Sequence, residues 1–255
     1  MTTSEVKFLS SLKQKKFRYE SKSFIIEGAH MISEAIRSNR YLPLLNKIYR
    51  TVDFPDTELI EKLNVLNLPV EVISRRFIQK IADSKNPQGI FAHLSIPEKP
   101  GLLKEPVIIA LDRINDPGNL GTIIRTAYWF NIKSIIISSN SADVYNPKVL
   151  RSSQGAVFHV NIHRSDNLLK DLVTLKNVGY SVYISTPHSH NILSHLHISD
   201  KCIFTFGNES HGVNNEIKAE TGFTNYKIQS YSNCESLNVA AATAITLYEL
   251  KKNSF

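Results

Sequence analysis

Three short runs in the second half of the chain are apolar along most of their length: Val107 to Leu111, Ser134 to Ser138 and Lys201 to Phe206. A strand with one wet face alternates apolar and polar residues, so a run that does not alternate is covered on both faces. Stretches with helical spacing separate these runs, among them Leu120 to Phe130 and Asn167 to Asn177. Parallel neighbours need such crossovers. The second half is therefore predicted to be α/β, with a mostly parallel sheet and helices on both faces. Ligands of these sheets sit at the carboxyl ends of the strands. The segments 112–121, 185–200, 207–214 and 229–238 fall there.

Strands and helices also alternate before that point. Residues 5–20 read as one basic helix, Phe24 to Gly28 as a strand, and Ala29 to Ser38 as a helix with Met31, Ile32, Ala35 and Ile36 on one side. Strands are expected at 46–51, 70–73 and 89–94. Helices are expected at 56–64, with Asp56 or Thr57 as N-cap, and at 75–82, capped by Ser74. Residues 97–106 hold three prolines and a glycine and continue no regular element. The reading is a small α/β domain at 1–97, a linker at 98–105 and a larger domain at 106–255.

Beyond the three apolar runs, the larger domain is expected to hold a short helix at 146–153, an extended piece at 157–160 and a strand at 180–184. A short helix at 214–219, a last strand at 226–228 and a closing helix at 237–251 complete it.

The formal net charge is +7, which favours an anionic partner, nucleic acid being the commonest. The first fifty residues carry Lys7, Lys13, Lys15, Lys16, Arg18, Lys22, Arg37, Arg40, Lys47 and Arg50 against Glu5, Glu20, Glu27 and Glu34. Lys13 to Tyr19 mixes bases with aromatics, which suits RNA contact and suits a solvated basic helix nearly as well. Cys202 and Cys234 form neither a disulfide framework nor a metal spacing, so two reduced thiols in a cytoplasmic protein are expected. No signal peptide and no bilayer-spanning run is read.

Three constellations lie on the strand-end loops. Asn115 to Gly121, followed by Arg125-Thr126-Ala127, makes a tight loop with Asn119 suited to an N-cap. By itself it also fits an ordinary strand-turn-helix with a surface arginine. Gly207-Asn208-Glu209-Ser210-His211-Gly212 follows an apolar strand, and equally describes a loop that only turns the chain. Glu235 to Ala242 places Ser236 as a cap and Asn238 in the first turn of the closing helix, and taken alone it fits a capped, alanine-rich core helix. No Walker loop or dinucleotide fingerprint is present.

Taken together, the three resemble the signature motifs of the SpoU (TrmH-like) branch of the SPOUT RNA methyltransferases. They are carried by Asn119-Leu120-Gly121 with Arg125-Thr126-Ala127, by Gly207 to Gly212, and by Ser236-Leu237-Asn238-Val239-Ala240-Ala241-Ala242. Arg151 to Ala156 resembles a further family segment. Phe24 to His30 and Asn86 to Ala92 resemble the substrate-binding domain that often precedes the catalytic one.

The resemblance implies a C-terminal deep trefoil knot behind a small L30e-like α/β domain, and an S-adenosylmethionine-dependent transfer of methyl to a ribose 2′-oxygen of RNA. It implies donor contacts at Gly207, Ile228 and Leu237, with Thr186 and Asn208 as weaker candidates, and catalytic positions at Arg125, Asn119, Glu209, Ser236 and Asn238. Ile228-Gln229-Ser230 stands where many members have Ile-Pro-Met, so the rigid proline is lost while a backbone contact at Ile228 survives. A homodimer is implied, with Leu247 and Leu250 on the closing helix as interface or core. Ribosomal RNA is the favoured substrate; transfer RNA and a non-catalytic RNA-binding relative are the alternatives. His188, His190, His195 and His197 crowd one stretch, but no second cluster completes a ligand set, so no metal is expected.

Overall fold

The computed structural model describes residues 1–98 and 105–252, so nearly all of the expected linker lies outside the described residues. The chain divides into two compact units. Met1–Glu98 and Asp143–Phe158 form the first, and the second holds the remaining described residues.

The first unit opens with α1 (Thr3–Ser11) and α2 (Lys15–Ser21), followed by β1 (Ser23–Glu27), α3 (Ala29–Arg37), β2 (Leu45–Arg50), α4 (Thr57–Val65), β3 (Val70–Val72), α5 (Arg75–Ile81) and β4 (Ile90–Ser95). Its sheet runs β1-β4-β2-β3, with β2 and β3 parallel and the other pairs antiparallel. Leu9, Leu12, Ile78, Ile81, Tyr49 and Phe91 bring α1 and α5 onto this sheet. Asp56 is the cap of α4, accepting from the Leu59 amide, whereas the Ser74 side chain makes no capping bond.

The single basic helix expected over residues 5–20 is two helices. The break comes at Leu12 to Gln14, where the Arg18 guanidinium takes the Leu12 and Lys13 carbonyls at 2.8 Å each. Arg18 is therefore no RNA contact: it is 1% exposed.

The second unit is built on β5 (Val107–Asp112), α6 (Pro117–Trp129) and β6 (Ser134–Ser138). The chain then runs through α7 (Pro147–Ser153), which belongs to the first unit, and returns as β7 (Asn161–Ser165), α8 (Leu168–Asn177), β8 (Ser181–Ser185), β9 (Cys202–Gly207), α9 (Asn215–Ala219), β10 (Thr224–Tyr226) and α10 (Val239–Lys251). The sheet order is β10-β8-β9-β5-β6-β7, parallel at every pairing. Ile108, Ala110, Ile136, Val182, Ile184 and Ile203 present one face to Leu168, Leu172 and Leu175 of α8 and Ile217 of α9. α10 packs on β9 and on α6.

Several boundaries differ from expectation for identifiable reasons. Residues 157–160 are not extended: Ala156–Phe158 is a 3₁₀ turn, and the strand lies beyond it as β7. The last strand ends at Tyr226 rather than 228, because the Lys227 amide turns to the Asn191 carbonyl.

Within the first unit, Asp143 accepts from Arg18 Nε at 2.9 Å and from the Tyr19 hydroxyl at 2.8 Å. Tyr145 lies 4.6 Å from Phe24, ring centre to ring centre, and Phe158 lies 5.0 Å from Tyr41. The Ser38 hydroxyl donates to the Phe158 carbonyl at 2.7 Å. Residues 143–158 are thus stitched into the front sheet by an ion pair, aromatic packing and a buried hydrogen bond.

Candidate active site

The loops after β8, β9 and β10 enclose a cleft of about 1100 Å³. Thr186 comes from the first loop, Gly207, Asn208 and Glu209 from the second, and Ile228, Ser236 and Leu237 from the third. All five expected donor-contact residues therefore line one space. Its volume is slightly above the roughly 300–1,000 Å³ of ordinary small-molecule pockets, so it has room for a small cofactor. Lys218, Lys227, His188 and His211 add cationic and titratable groups to its wall, with Glu209 and Glu235 opposing them in sign.

The five expected catalytic residues are not all together: Ser236 lines the cleft, three others are bonded in series, and Arg125 is separate. Asn119, Glu209 and Asn238 are joined side chain to side chain. Asn238 Nδ2 donates to Asn119 Oδ1 at 3.0 Å, and Asn119 Nδ2 donates to Glu209 Oε1 at 2.9 Å. Each amide thus has one orientation, and one carboxylate oxygen of Glu209 stays open to a further donor. The chain is anchored at α10, where Asn238 Oδ1 accepts from the Ala240 and Ala241 amides. Arg125 stands apart. It is exposed on α6, does not line the cleft, and makes no hydrogen bond or ion pair among the described residues.

Two expected capping roles are reassigned. Asp116, not Asn119, caps α6: its carboxylate accepts from the Asn119 amide at 2.8 Å, with Pro117 in the first turn. That frees the Asn119 side chain for the chain just described. Asn238, not Ser236, caps α10, and Ser236 remains in the cleft wall.

Gly207 is held to glycine by crowding. A Cβ there would sit 2.1 Å from the Val213 nitrogen and 2.2 Å from the Gly212 carbonyl carbon, so the backbone of one loop end closes on the other. The resulting turn brings Gly212 N to the Asn208 carbonyl at 2.8 Å and lets Asn208 Oδ1 collect the Ser210 and His211 amides at 2.9 and 3.0 Å. Glycine at 207 is therefore required by closure of its own loop, and the Glu209 side chain is presented on the resulting turn.

Sequence reasoning did not single out Asp112 and Arg113, which abut this turn from the end of β5. Asp112 pairs in register with Gly207, its carboxylate is buried, and it accepts from the Asn214 amide at 2.8 Å. Arg113 has a φ of +56°. A strand-end acid followed by a base was the one available signal, and nothing in sequence announces a left-handed arginine.

Among the described residues, no three His, Cys, Asp or Glu side chains cluster as metal ligands. No described helix is long and apolar enough to cross a membrane.

Comparison with known proteins places this geometry in context. Residues 106–248 match the model of the SpoU rRNA Methylase family, and residues 3–92 match the MRM3-like substrate binding domain. The chain is 32% identical over 247 residues to the Bacillus subtilis (strain 168) 23S rRNA (guanosine(2553)-2′-O)-methyltransferase RlmP, covering 97% of this chain and 96% of that one. A crystal structure of an AdoMet-bound rRNA methyltransferase from Sinorhizobium meliloti superposes with a TM-score of 0.86 at 27% identity, over 100% of this chain and 97% of that chain. The SpoU methyltransferase AviRb from Streptomyces viridochromogenes, crystallised with AdoMet, gives 0.88 at 19% identity over 99% and 98%, a likeness of fold.

Proposed function

The chain belongs to the SpoU rRNA methylase family, and on that premise we propose that it moves a methyl group from S-adenosylmethionine to a ribose 2′-oxygen of large-subunit ribosomal RNA. The observation that carries the reading is the convergence of three strand-end loops on one cleft, with Asn119, Glu209 and Asn238 bonded in series beside it. The lean to ribosomal RNA rests on similarity across both the catalytic and the front region.

The residues present fit the donor. Gly207, Thr186, Asn208, Ile228 and Leu237 line the cleft with both polar and apolar surface. Bound there, S-adenosylmethionine supplies a methyl group on a positively charged sulfur that leaves readily. The chain's own work is then to place the ribose and manage charge. Glu209, held by Asn119, offers an acceptor for a ribose hydroxyl. Ser236 adds a donor from the opposite loop.

Arg125 orients the 2′-oxygen and the neighbouring phosphate and offsets developing negative charge. It does not act as a base, because a guanidinium is not deprotonated in proteins. Its exposed position fits a role completed by RNA or by a second copy of the chain. Thr122, Arg125 and Trp129 of α6 and Ala241, Ile245 and Tyr248 of α10 are all exposed, and Trp129 is 84% exposed. A patch of this kind supports a homodimer. Leu247 is core instead, at 0% exposed.

Threading of the C-terminal segment is part of the same reading. Lys227 bonds both Asn191 and Leu193, inside the 186–201 connection, before the chain reaches α10 and packs on α6. The substrate-binding role falls to residues 1–97, the catalytic role to 106–255, and the setting is the cytoplasm.

Calorimetric titration with S-adenosylmethionine, and mapping of 2′-O-methyl sites in ribosomal and transfer RNA from cells with and without the protein, test the reading. Donor binding and loss of one ribosomal site are expected. Loss of a transfer-RNA site would redirect it, and absence of binding would reject catalysis. Arg125→Ala is expected to lower methyl transfer by at least about a hundredfold with donor affinity kept. Arg125→Lys near wild-type activity would argue against the guanidinium fork.

A further inference from the structure

We propose that Asp112 and Arg113 are positioning residues: a clamp at the end of β5 that sets where the Glu209 loop stands. The geometry reaches the loop at three points. Asn208 Nδ2 donates to the Arg113 carbonyl at 3.0 Å. Arg113 Nη2 donates to the Gly212 carbonyl at 3.3 Å. Asp112 Oδ2 accepts from the Asn214 amide at 2.8 Å and from Arg113 Nε at 3.2 Å. The loop that presents Glu209 is therefore gripped at its second residue, at its closing glycine and just beyond its end.

The backbone of Arg113 is itself held in place. Its φ of +56° is a conformation that residues with a side chain rarely adopt outside asparagine, aspartate and glycine. Its amide donates to the Ser138 hydroxyl at 2.8 Å, and that hydroxyl lies 3.0 Å from Ser141 Oγ. Ser141 in turn accepts from the Ile114 amide at 3.0 Å. This pair of buried hydroxyls turns the strand end so that the Arg113 carbonyl meets Asn208 and the guanidinium reaches Gly212. Glycine would adopt the backbone more easily. Only an arginine side chain bridges the Asp112 carboxylate and the Gly212 carbonyl together, a reach a compact ammonium does not match.

The gripped loop gives Gly207, Asn208 and Gly212 to the cleft, whereas Thr186, Ile228 and Leu237 reach it from other segments that the grip does not touch. Releasing it shifts Glu209 relative to Asn119 and leaves most of the donor's surroundings intact. The proposal rests on the methyl-transfer reading for its catalytic consequence, and on hydrogen bonding alone for its structural one.

Arg113→Gly is the decisive variant, because glycine accepts the positive φ and keeps the carbonyl that Asn208 uses, while the guanidinium bonds to Gly212 and Asp112 are lost. Its kcat is expected to fall about a hundredfold, as displacement of a positioned group does, while the Kd for S-adenosylmethionine rises by less than about tenfold, because three of the five donor-contact residues come from other segments. Arg113→Lys is expected to fall between that variant and the wild type. Hydrogen exchange at the His211, Gly212 and Asn214 amides should quicken in Arg113→Gly and not elsewhere in the sheet. A kcat within about twofold of wild type, or equal losses in kcat, donor affinity and melting temperature, would overturn the clamp. If the wild type transfers no methyl group, the function falls, and the exchange experiment decides the clamp alone: unchanged protection at those amides rejects it.

Discussion

Cys202 and Cys234 differ in a way that chemistry can read directly. Cys202 is enclosed in β9, and burial pushes its thiol up to about 12. The thiolate is the reactive form, so at neutral pH this sulfur is inert. Cys234 is exposed in the loop that closes the cleft, its sulfur 3.3 Å from the Ser236 carbonyl. Iodoacetamide at pH 8 should label Cys234 in the native protein and Cys202 only after unfolding, as peptide mass mapping would record. S-adenosylhomocysteine should slow the labelling of Cys234, since that residue lines the same cleft. Equal rates at both thiols would contradict the burial.

The residues of the site were unevenly legible. Asn119, Glu209 and Asn238 were singled out because their neighbours form motifs. Their bonding to one another was not, because spacing along a chain says nothing of three loops meeting. Asn119 and Asp116 are both good capping residues three apart, and composition does not choose between them. Pro117, just after Asp116, was the cue that does. Arg125 was singled out by motif alone, and its exposed setting outside the cleft is information only the fold supplies.

Among the elements, α10 best links structure to chemistry. Asn238 serves it twice, as cap through Oδ1 and as donor to Asn119 through Nδ2. Two substitutions separate the roles. Asn238→Ala removes both and should cost about 1 kcal/mol of stability along with activity. Asn238→Asp keeps an acceptor for the Ala240 and Ala241 amides but has nothing to donate to Asn119. It should melt close to wild type while methyl transfer falls at least about tenfold. Thermal unfolding and single-turnover methyl transfer distinguish the cases, and an active Asn238→Asp protein would show that the link to Asn119 is dispensable.

The elements also show where periodicity stops. Buried parallel strands such as β5 and β9 were clear because nothing polar interrupts them. β7 was missed, since Asn161-Ile162-His163-Arg164-Ser165 has one apolar residue and sits at the sheet edge, where burial is only partial. The break between α1 and α2 has neither glycine nor proline. It is made by Arg18 reaching back to two carbonyls, a tertiary effect no local pattern encodes.

For the molecule as a whole, the chain passes between its two units at 98/99, 142/143 and 158/159. The middle segment brings Val149, Leu150, Val157 and Phe158, all 3% exposed or less, and the Asp143 carboxylate that pairs with Arg18. Each buried large side chain is worth about 1.5–3 kcal/mol. A chain cut to residues 106–255 should therefore expose an apolar segment, bind a hydrophobic dye and melt below the full-length protein. Arg18→Ala in the intact chain should cost about 3–5 kcal/mol by leaving Asp143 buried without its partner. Calorimetry on both would test this, and a truncated chain as stable as the whole would refute it.

That interleaving bears on how such a chain can diversify. A front domain borrowed from another protein would meet residues 143–158 as a foreign surface, with Tyr145, Phe158 and Asp143 seeking partners it lacks. A working chimera must import the host's inner segment together with the new head. The first unit is therefore inherited as two distant stretches of gene, and a change in one is constrained by the other.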